Sequence, residues 1–270
     1  MMHAPPYSSR SESLRPIPVT TPASSRSGPI KMQHTFQHIP QEDITDEMLH
    51  DAARLFTNNY GTWGHGSAAP GKRVRLNAKR LREQYLPENG QCWYVKATFN
   101  GELIGNLFTS RWTWEGKQIC WVTQLVVCQE HRGKGIATML LRYAMAPSDD
   151  VYGIMSSHPY ACIAAAATFG TAIENVSMEF IRGSSQSIMK ESPIQYVKDA
   201  TVCGTLFDAD DVSGLISGVD TGFFVDHGEP LQALQQVQDD RSWPLGNLPD
   251  GHEFLLLVRA KPRRSTSPNS

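Results

Sequence analysis

Leu125-Val126-Val127-Cys128-Gln129-Glu130-His131-Arg132-Gly133-Lys134-Gly135-Ile136-Ala137-Thr138 runs from an apolar stretch, through a turn of two glycines and two cations, into a helical pattern. Backbone N–H groups at a helix start, backed by the positive end of the helix dipole, form a cradle for an anion. Gly133 and Gly135 let the main chain come close to a phosphate where a Cβ would collide. Arg132 and Lys134 offer charge-assisted bonds to the same group. Behind the turn, Ile136, Met139, Leu140 and Tyr143 fall at i, i+3, i+4 and i+7, the stripe of an amphipathic helix. Pro147 ends it.

Upstream, Ile119 to Cys128 is apolar at almost every position, which predicts a strand covered on both faces in the middle of a sheet. Cys92 to Phe99 and Leu103 to Trp112 read as its antiparallel neighbours, with turn signals at Asn100-Gly101 and Glu115-Gly116. Phe36 to Ile39 predicts a first strand. Thr45 has the N-cap chemistry for a helix to about Tyr60, with Asp46 and Glu47 in its first turn. A short basic helix follows over Asn77 to Tyr85. Downstream, Val151 to Ser156 reads as a strand. Tyr160 to Phe169 reads as an alanine-rich helix with Pro159 at its first position. Phe223 to Val225 and Phe254 to Val258 are two late strand candidates.

The turn resembles the acyl-CoA-binding signature of the GNAT superfamily of N-acyltransferases, R/Q-x-x-G-x-G/A, which reads here Arg132-x-x-Gly135-x-Ala137. The element order over Phe36 to Phe169 is similar to that family's. The resemblance implies an α/β (α+β) fold: a mixed, mostly antiparallel central sheet flanked by helices, with residues about 171–219 as an insertion before the last strands. It implies a domain over 32–260. It also implies acetyl-CoA, or another acyl-CoA, as cosubstrate. Leu125, Val126 and Val127 would offer backbone groups to the pantetheine arm. Arg132, Gly133, Lys134, Gly135, Ile136, Ala137 and Thr138 would hold the diphosphate. A tight surface turn is the plainer alternative for the two glycines. A dinucleotide fits less well, because Thr138 stands where a third glycine belongs and Asp149 and Asp150 precede the next strand instead of ending it.

The implied activity is transfer of an acetyl group to a primary amine by direct attack in a ternary complex, the acceptor being a small molecule or a peptide. Many members of the family use a Glu on the strand before the cradle. Gln124 is its nearest match here and cannot take a proton. Many also use a Tyr in the helix after the next strand, and aligning that helix from His158 puts Ala165 at its place. Gln124, Tyr160 and His158 are the catalytic candidates, with Asp226 and His227 as weaker ones. The loop from Tyr60 to Gly66 is placed at the acceptor, with Tyr60 and Trp63 as contacts. The two missing acid/base residues keep open a second class, a degenerate acyl-CoA-binding sensor or interaction protein.

The 270 residues carry a formal charge of -2 and 40% apolar content. That balance gives no electrostatic footprint for nucleic acid or an anionic membrane. No apolar run nears the ~20 residues of a bilayer span. Five cysteines without paired spacing suggest neither a metal site nor a disulfide framework, and a reducing, cytoplasmic setting fits them. Residues 1–31 are Ser-, Pro- and Arg-rich and are expected to be a disordered tail, as are 261–270. Mitochondrial and nuclear addresses are the alternatives those two segments suggest.

Overall fold

The computed structural model describes residues 34–261. The N-terminal tail expected over 1–31, and the C-terminal one beyond Lys261, lie outside the described residues. Eight strands form one sheet: β1 (His34–Pro40), β2 (Gln91–Phe99), β3 (Glu102–Trp114), β4 (Lys117–Val127), β5 (Val151–Ser156), β6 (Thr201–Cys203), β7 (Gly218–Asp220) and β8 (His252–Arg259). Their order is β1-β2-β3-β4-β5-β8-β7-β6. β4 and β5 pair in parallel, and the other neighbours pair antiparallel. The fold is therefore a mixed, mostly antiparallel open sheet flanked by helices, as the sequence suggests.

Local chemistry sets most of the element ends. Thr45 caps α1 (Asp46–Asn59) by accepting the Met48 N–H at 3.2 Å. Asn77 caps α2 (Ala78–Tyr85) by accepting that of Arg80 at 2.9 Å. Asn100-Gly101 joins β2 to β3 and Glu115-Gly116 joins β3 to β4, all four residues at positive φ as two-residue hairpin turns require. Trp121, Tyr94 and Phe108 are the largest fully buried side chains, and all three stand on β2, β3 or β4.

α3 (Ile136–Ala144) packs Ile136, Leu140, Leu141 and Ala144 inward. Tyr143, expected on that stripe, is instead 43% exposed and stacks on Phe36 at 5.3 Å. The helix meets the sheet along its i, i+4, i+8 row, which turns Tyr143 toward the β1 edge. α4 (Pro159–Phe169) follows β5. The chain then adds α5 (Met178–Lys190), α6 (Gln195–Asp199) and α7 (Gly228–Asp240) before β8 returns to pair with β5. Residues 171–219, read as an insertion, hold α5, α6, β6 and the first two residues of β7. They extend the sheet beyond β8. Phe223 to Val225 is not a strand: β7 already fills the β8 edge, and this segment peels away to form a bridge between Val225 and Trp63.

Candidate functional site

β4 and β5 stay paired only from Ile119↔Val151 to Val122↔Ile154. Beyond that point Leu125, Val126 and Val127 remain with β3, while Met155 and Ser156 remain with β8. A register shift at Phe108/Thr109 leaves Thr123 as the extra residue of a bulge. The strands therefore diverge like a wedge, and the β4 backbone over 123–127 has one unpaired edge. A cavity of about 530 Å3 fills the wedge. That size suits a small molecule.

One end of this free edge leads to the glycine turn. Gly133 has φ 71° and Gly135 has φ 78°. Gly135 caps α3 with no side-chain bond, in contrast to the caps of α1, α2, α4 and α5. The N–H groups of Ile136, Ala137 and Thr138 thus have no partner within the helix. A Cβ on either glycine would meet no protein atom within 4 Å. The turn requires glycine for its backbone conformation and leaves open space where a Cβ would stand. Lys134 is exposed beside them and has no ion-pair partner among the described residues.

Arg132 departs from the role the sequence suggests for its side chain. Its guanidinium is turned inward: it donates to the Val127 oxygen at 3.2 Å and the Asn59 oxygen at 2.6 Å, and it pairs with Glu229. It ties the C-terminus of α1 and the start of α7 to the end of β4. Only its place in the turn, not its charge, is left for an anion.

The other end of the free edge opens on the cavity. Leu125 and Gln124 line it. Val126 turns the other way and is buried against Leu55, Phe56, Val74 and Val225; Val127 is half-buried. Gln124 is itself buried. Its Oε1 accepts from Asn106 Nδ2 at 3.0 Å, whereas its Nε2, Asn106 Oδ1 and Thr123 Oγ1 have no protein partner. Each such group costs about 1–3 kcal/mol when left dry.

Tyr60 and Trp63 both line the cavity, and both ring systems approach Phe223, at 5.9 and 5.1 Å. Across the cavity Tyr85 meets Tyr196 edge-on at 5.8 Å, and the Tyr196 hydroxyl donates to the Thr123 oxygen at 2.7 Å. Burial pushes the Tyr85 phenol up to about 12, with Gln124 acting in the opposite sense and Glu253 adding to the rise. Burial, then neighbouring charges including Glu253, holds Tyr60 and Tyr196 well above the usual range. Glu253, on β8, closes the floor, and burial raises its carboxyl to about 7. Glu253 is half-buried and lines the cavity.

Glu253, Tyr85 and Tyr196 escape the sequence reading. A Glu heading the run Phe254 to Val258, in a sheet covered on both faces, is the one signal that was available. The other catalytic candidates lie elsewhere. Tyr160 is 47% exposed, and its hydroxyl donates to Gln236 on α7 at 3.3 Å. His158 caps α4, its Nδ1 accepting the Tyr160 N–H at 3.3 Å. Its Nε2 lies 3.9 Å from Glu229. Burial lowers its pKa; Glu229 opposes that shift and Arg132 reinforces it. Neither residue lines the cavity, so neither is placed to reach a reacting atom there. Ala165 is fully buried. Asp226 binds the Gly228 N–H at 2.9 Å and His227 is buried beneath it, both outside the cavity wall.

Residues 50–155 match the model of the acetyltransferase (GNAT) family. No curated protein matches the sequence. Among solved structures it is similar to a glucosamine N-acetyltransferase region of a fungal multi-domain β-N-acetylglucosaminidase, at 16% identity over 45% of this chain and 14% of that one, TM-score 0.35. It is similar to an aminoglycoside acetyltransferase from an uncultured soil metagenomic sample, at 14% identity over 40% and 64%, TM-score 0.30. A ribosomal-protein-alanine N-acetyltransferase from Brucella melitensis matches at 22% identity over 40% and 68%, TM-score 0.30. The chain thus spans less than two thirds of the first two of these proteins.

Proposed function

We propose that this protein transfers an acetyl or similar acyl group from acyl-CoA to a primary amine, by direct attack within a ternary complex. The observation that carries the reading is the unpaired edge of β4 over 123–127, which joins the glycine turn at one end to the cavity at the other. A diphosphate is held by the amides that follow Gly135, with Lys134 beside it. The pantetheine arm pairs with Leu125 to Val127 as an added strand would. That course delivers the thioester to the bulge at Thr123, next to the Tyr196 hydroxyl.

The reaction then needs a neutral amine, a fixed distance and a stabilised oxyanion. An alkyl amine of pKa about 10.4 costs about 4.6 kcal/mol to deprotonate at pH 7. The amine lone pair forms the new C–N bond, the C–S bond breaks, and the sulfur leaves as thiolate. The thiolate is reprotonated and one proton is released overall. A phenol held well above pKa 10, as Tyr196 is, stays protonated at neutral pH, and by exchanging the Thr123 oxygen for the departing sulfur it can hydrogen-bond that sulfur.

Gln124 and Ala165, at the places of the family's familiar base and acid, favour a second reading: an acyl-CoA-binding protein that does not turn over. The experiment that separates the two is thiol release from acetyl-CoA with a panel of amines, run beside calorimetric titration of acetyl-CoA. Release with any amine establishes transfer. Tight acetyl-CoA binding without release establishes the second reading. No acetyl-CoA binding at all overturns both.

A further inference from the structure

The geometry points to Glu253 as the group that binds the acceptor's ammonium and takes its proton, in an aromatic-walled cavity suited to a small amine with a flat apolar body. This rests on the transferase reading for the proton step, and stands without it for the amine site. Glu253 is the carboxylate that closes the cavity floor, and it has no hydrogen-bond or ion-pair partner among the described residues. A carboxylate half-buried among aromatic rings without a counter-ion is costly, and a cation from the ligand is what relieves it. The walls are aromatic on two sides: Tyr60, Trp63 and Phe223 on one, Tyr85 and Tyr196 on the other. Ring faces attract a cation and give a flat apolar body large contact area.

A seam along one side of the cavity argues for a small molecule. The Gly64 N–H bonds the Phe224 oxygen at 2.9 Å and the Asp226 N–H bonds the Thr62 oxygen at 2.8 Å, on either side of the Trp63–Val225 bridge. A Cβ on Gly64 would stand 2.9 Å from the Val225 oxygen, so glycine permits this seam. The 223–226 segment is thereby stitched to the Tyr60–Gly66 loop, and a polypeptide has no through-passage on that side.

The titratable groups around Glu253 are the phenols of Tyr60, Tyr85 and Tyr196, the Cys162 thiol on α4, and Asp199, Asp220, Arg75 and Arg80 along the cavity wall. His252, beside it on β8, hydrogen-bonds the Asp250 carbonyl. The phenols and the thiol are all held neutral, so the carboxyl of Glu253 is the group in the floor that ionises near neutrality. In the proton step, Glu253 carboxylate accepts one proton from R-NH3+, the amine attacks the thioester, and CoA leaves with the second proton after the C–S bond breaks.

The experiment is calorimetric titration of 2-phenylethylamine and its neutral isostere 2-phenylethanol into the CoA complex of the full chain, for wild type and Glu253→Gln. Wild type is expected to prefer the amine, and Glu253→Gln to lose at least tenfold of amine affinity while binding the alcohol as before. With acetyl-CoA, kcat/KM of the variant is expected to fall about 100-fold, with the acid limb near pH 7 removed and partial recovery as pH rises. Equal amine affinity in the two proteins overturns the proposal, as does an acid limb that stays near pH 7 in the variant instead of moving up toward the amine's own pKa. Tighter binding of a hexapeptide with a free N-terminus overturns the small-molecule part. Glu253-dependent amine binding without thiol release upholds the amine site while the transfer reading falls.

Discussion

Two buried polar places in this protein, a few strands apart in one sheet, are solved in opposite ways. Arg111 on β3 meets Asp149 through two bonds, at 2.7 and 2.9 Å, and both side chains are nearly inaccessible. Asp149 also accepts the Ala146 N–H at 2.7 Å, Arg111 also donates to the Ala144 oxygen, and the guanidinium lies 4.6 Å from the centre of the Trp93 ring. Arg111 Nε and Nη2 and both Asp149 carboxylate oxygens have partners, and the pair ties the end of α3 to the sheet. At the wedge, Gln124, Asn106 and Thr123 keep unpartnered atoms and Glu253 has no cation. A polar group that is buried and satisfied holds the fold together; one that is buried and unsatisfied marks a place where something else binds.

The largest effect is expected from breaking the satisfied pair. Asp149→Asn leaves Arg111 charged and buried with half its partners gone, and is expected to cost about 3–5 kcal/mol in urea unfolding. Replacing both members, as Arg111→Met with Asp149→Leu, is expected to recover most of that loss. If the single and double variants are equally unstable, the pair is not what joins α3 to the sheet. The wedge is expected to respond with the opposite sign. A Glu253 carboxyl raised from 4.5 to about 7 has stability fully present below about pH 4.5 and lost as pH rises through about 7. At about 1.4 kcal/mol per unit this comes to about 3 kcal/mol. Glu253→Gln is therefore expected to be more stable than wild type at pH 8 by about that amount, with the gain vanishing toward pH 4.5. Melting curves at the two pH values check it, and a variant less stable than wild type at pH 8 would contradict the unpaired charge.

The same contrast explains what the sequence could and could not disclose. The glycine turn, both hairpins and the cap at Thr45 were legible because each depends on residues within a few positions of one another; Asn77, read as the first residue of its helix, is the cap before it. The wedge was half legible: Leu125 to Val127 stand next to the turn, whereas its floor comes from β8, which returns to β5 after residues 157–251. No local pattern places Glu253 beside Tyr60, Tyr85 and Tyr196. Arg132 shows the converse. Its position in the motif was readable, but its guanidinium answers to Asn59 and Glu229, groups far off in the chain. His158 stands outside the cavity lining for a related reason: at the start of α4 its ring is engaged in capping.

A smaller effect separates the turn from the wedge. Gly135→Val forces a β-branched residue to φ near 78°, at about 1–3 kcal/mol of strain. Acetyl-CoA affinity is expected to fall at least tenfold while 2-phenylethylamine affinity is retained, because the amine site lies at the other end of the β4 edge. Calorimetry on both ligands checks this, and loss of both together would show that turn and cavity are one site.

The smallest effects come from two tyrosines that differ only in where their hydroxyls point. Tyr196 donates to the Thr123 oxygen at the bulge, inside the cavity. Tyr196→Phe removes that bond, at about 1 kcal/mol of stability, and removes the phenol from the thiolate's path. It is expected to lower kcat by about tenfold or more with little change in KM for acetyl-CoA. Tyr160 donates to Gln236 on an exposed helix face, where water replaces the bond at almost no cost. Tyr160→Phe is expected to change kcat, KM and melting temperature by amounts close to the error of measurement. If steady-state rates show the reverse order, with Tyr160→Phe slow and Tyr196→Phe normal, the thioester sulfur lies at the start of α4, and the course of the pantetheine arm along Leu125 to Val127 must be redrawn to end there.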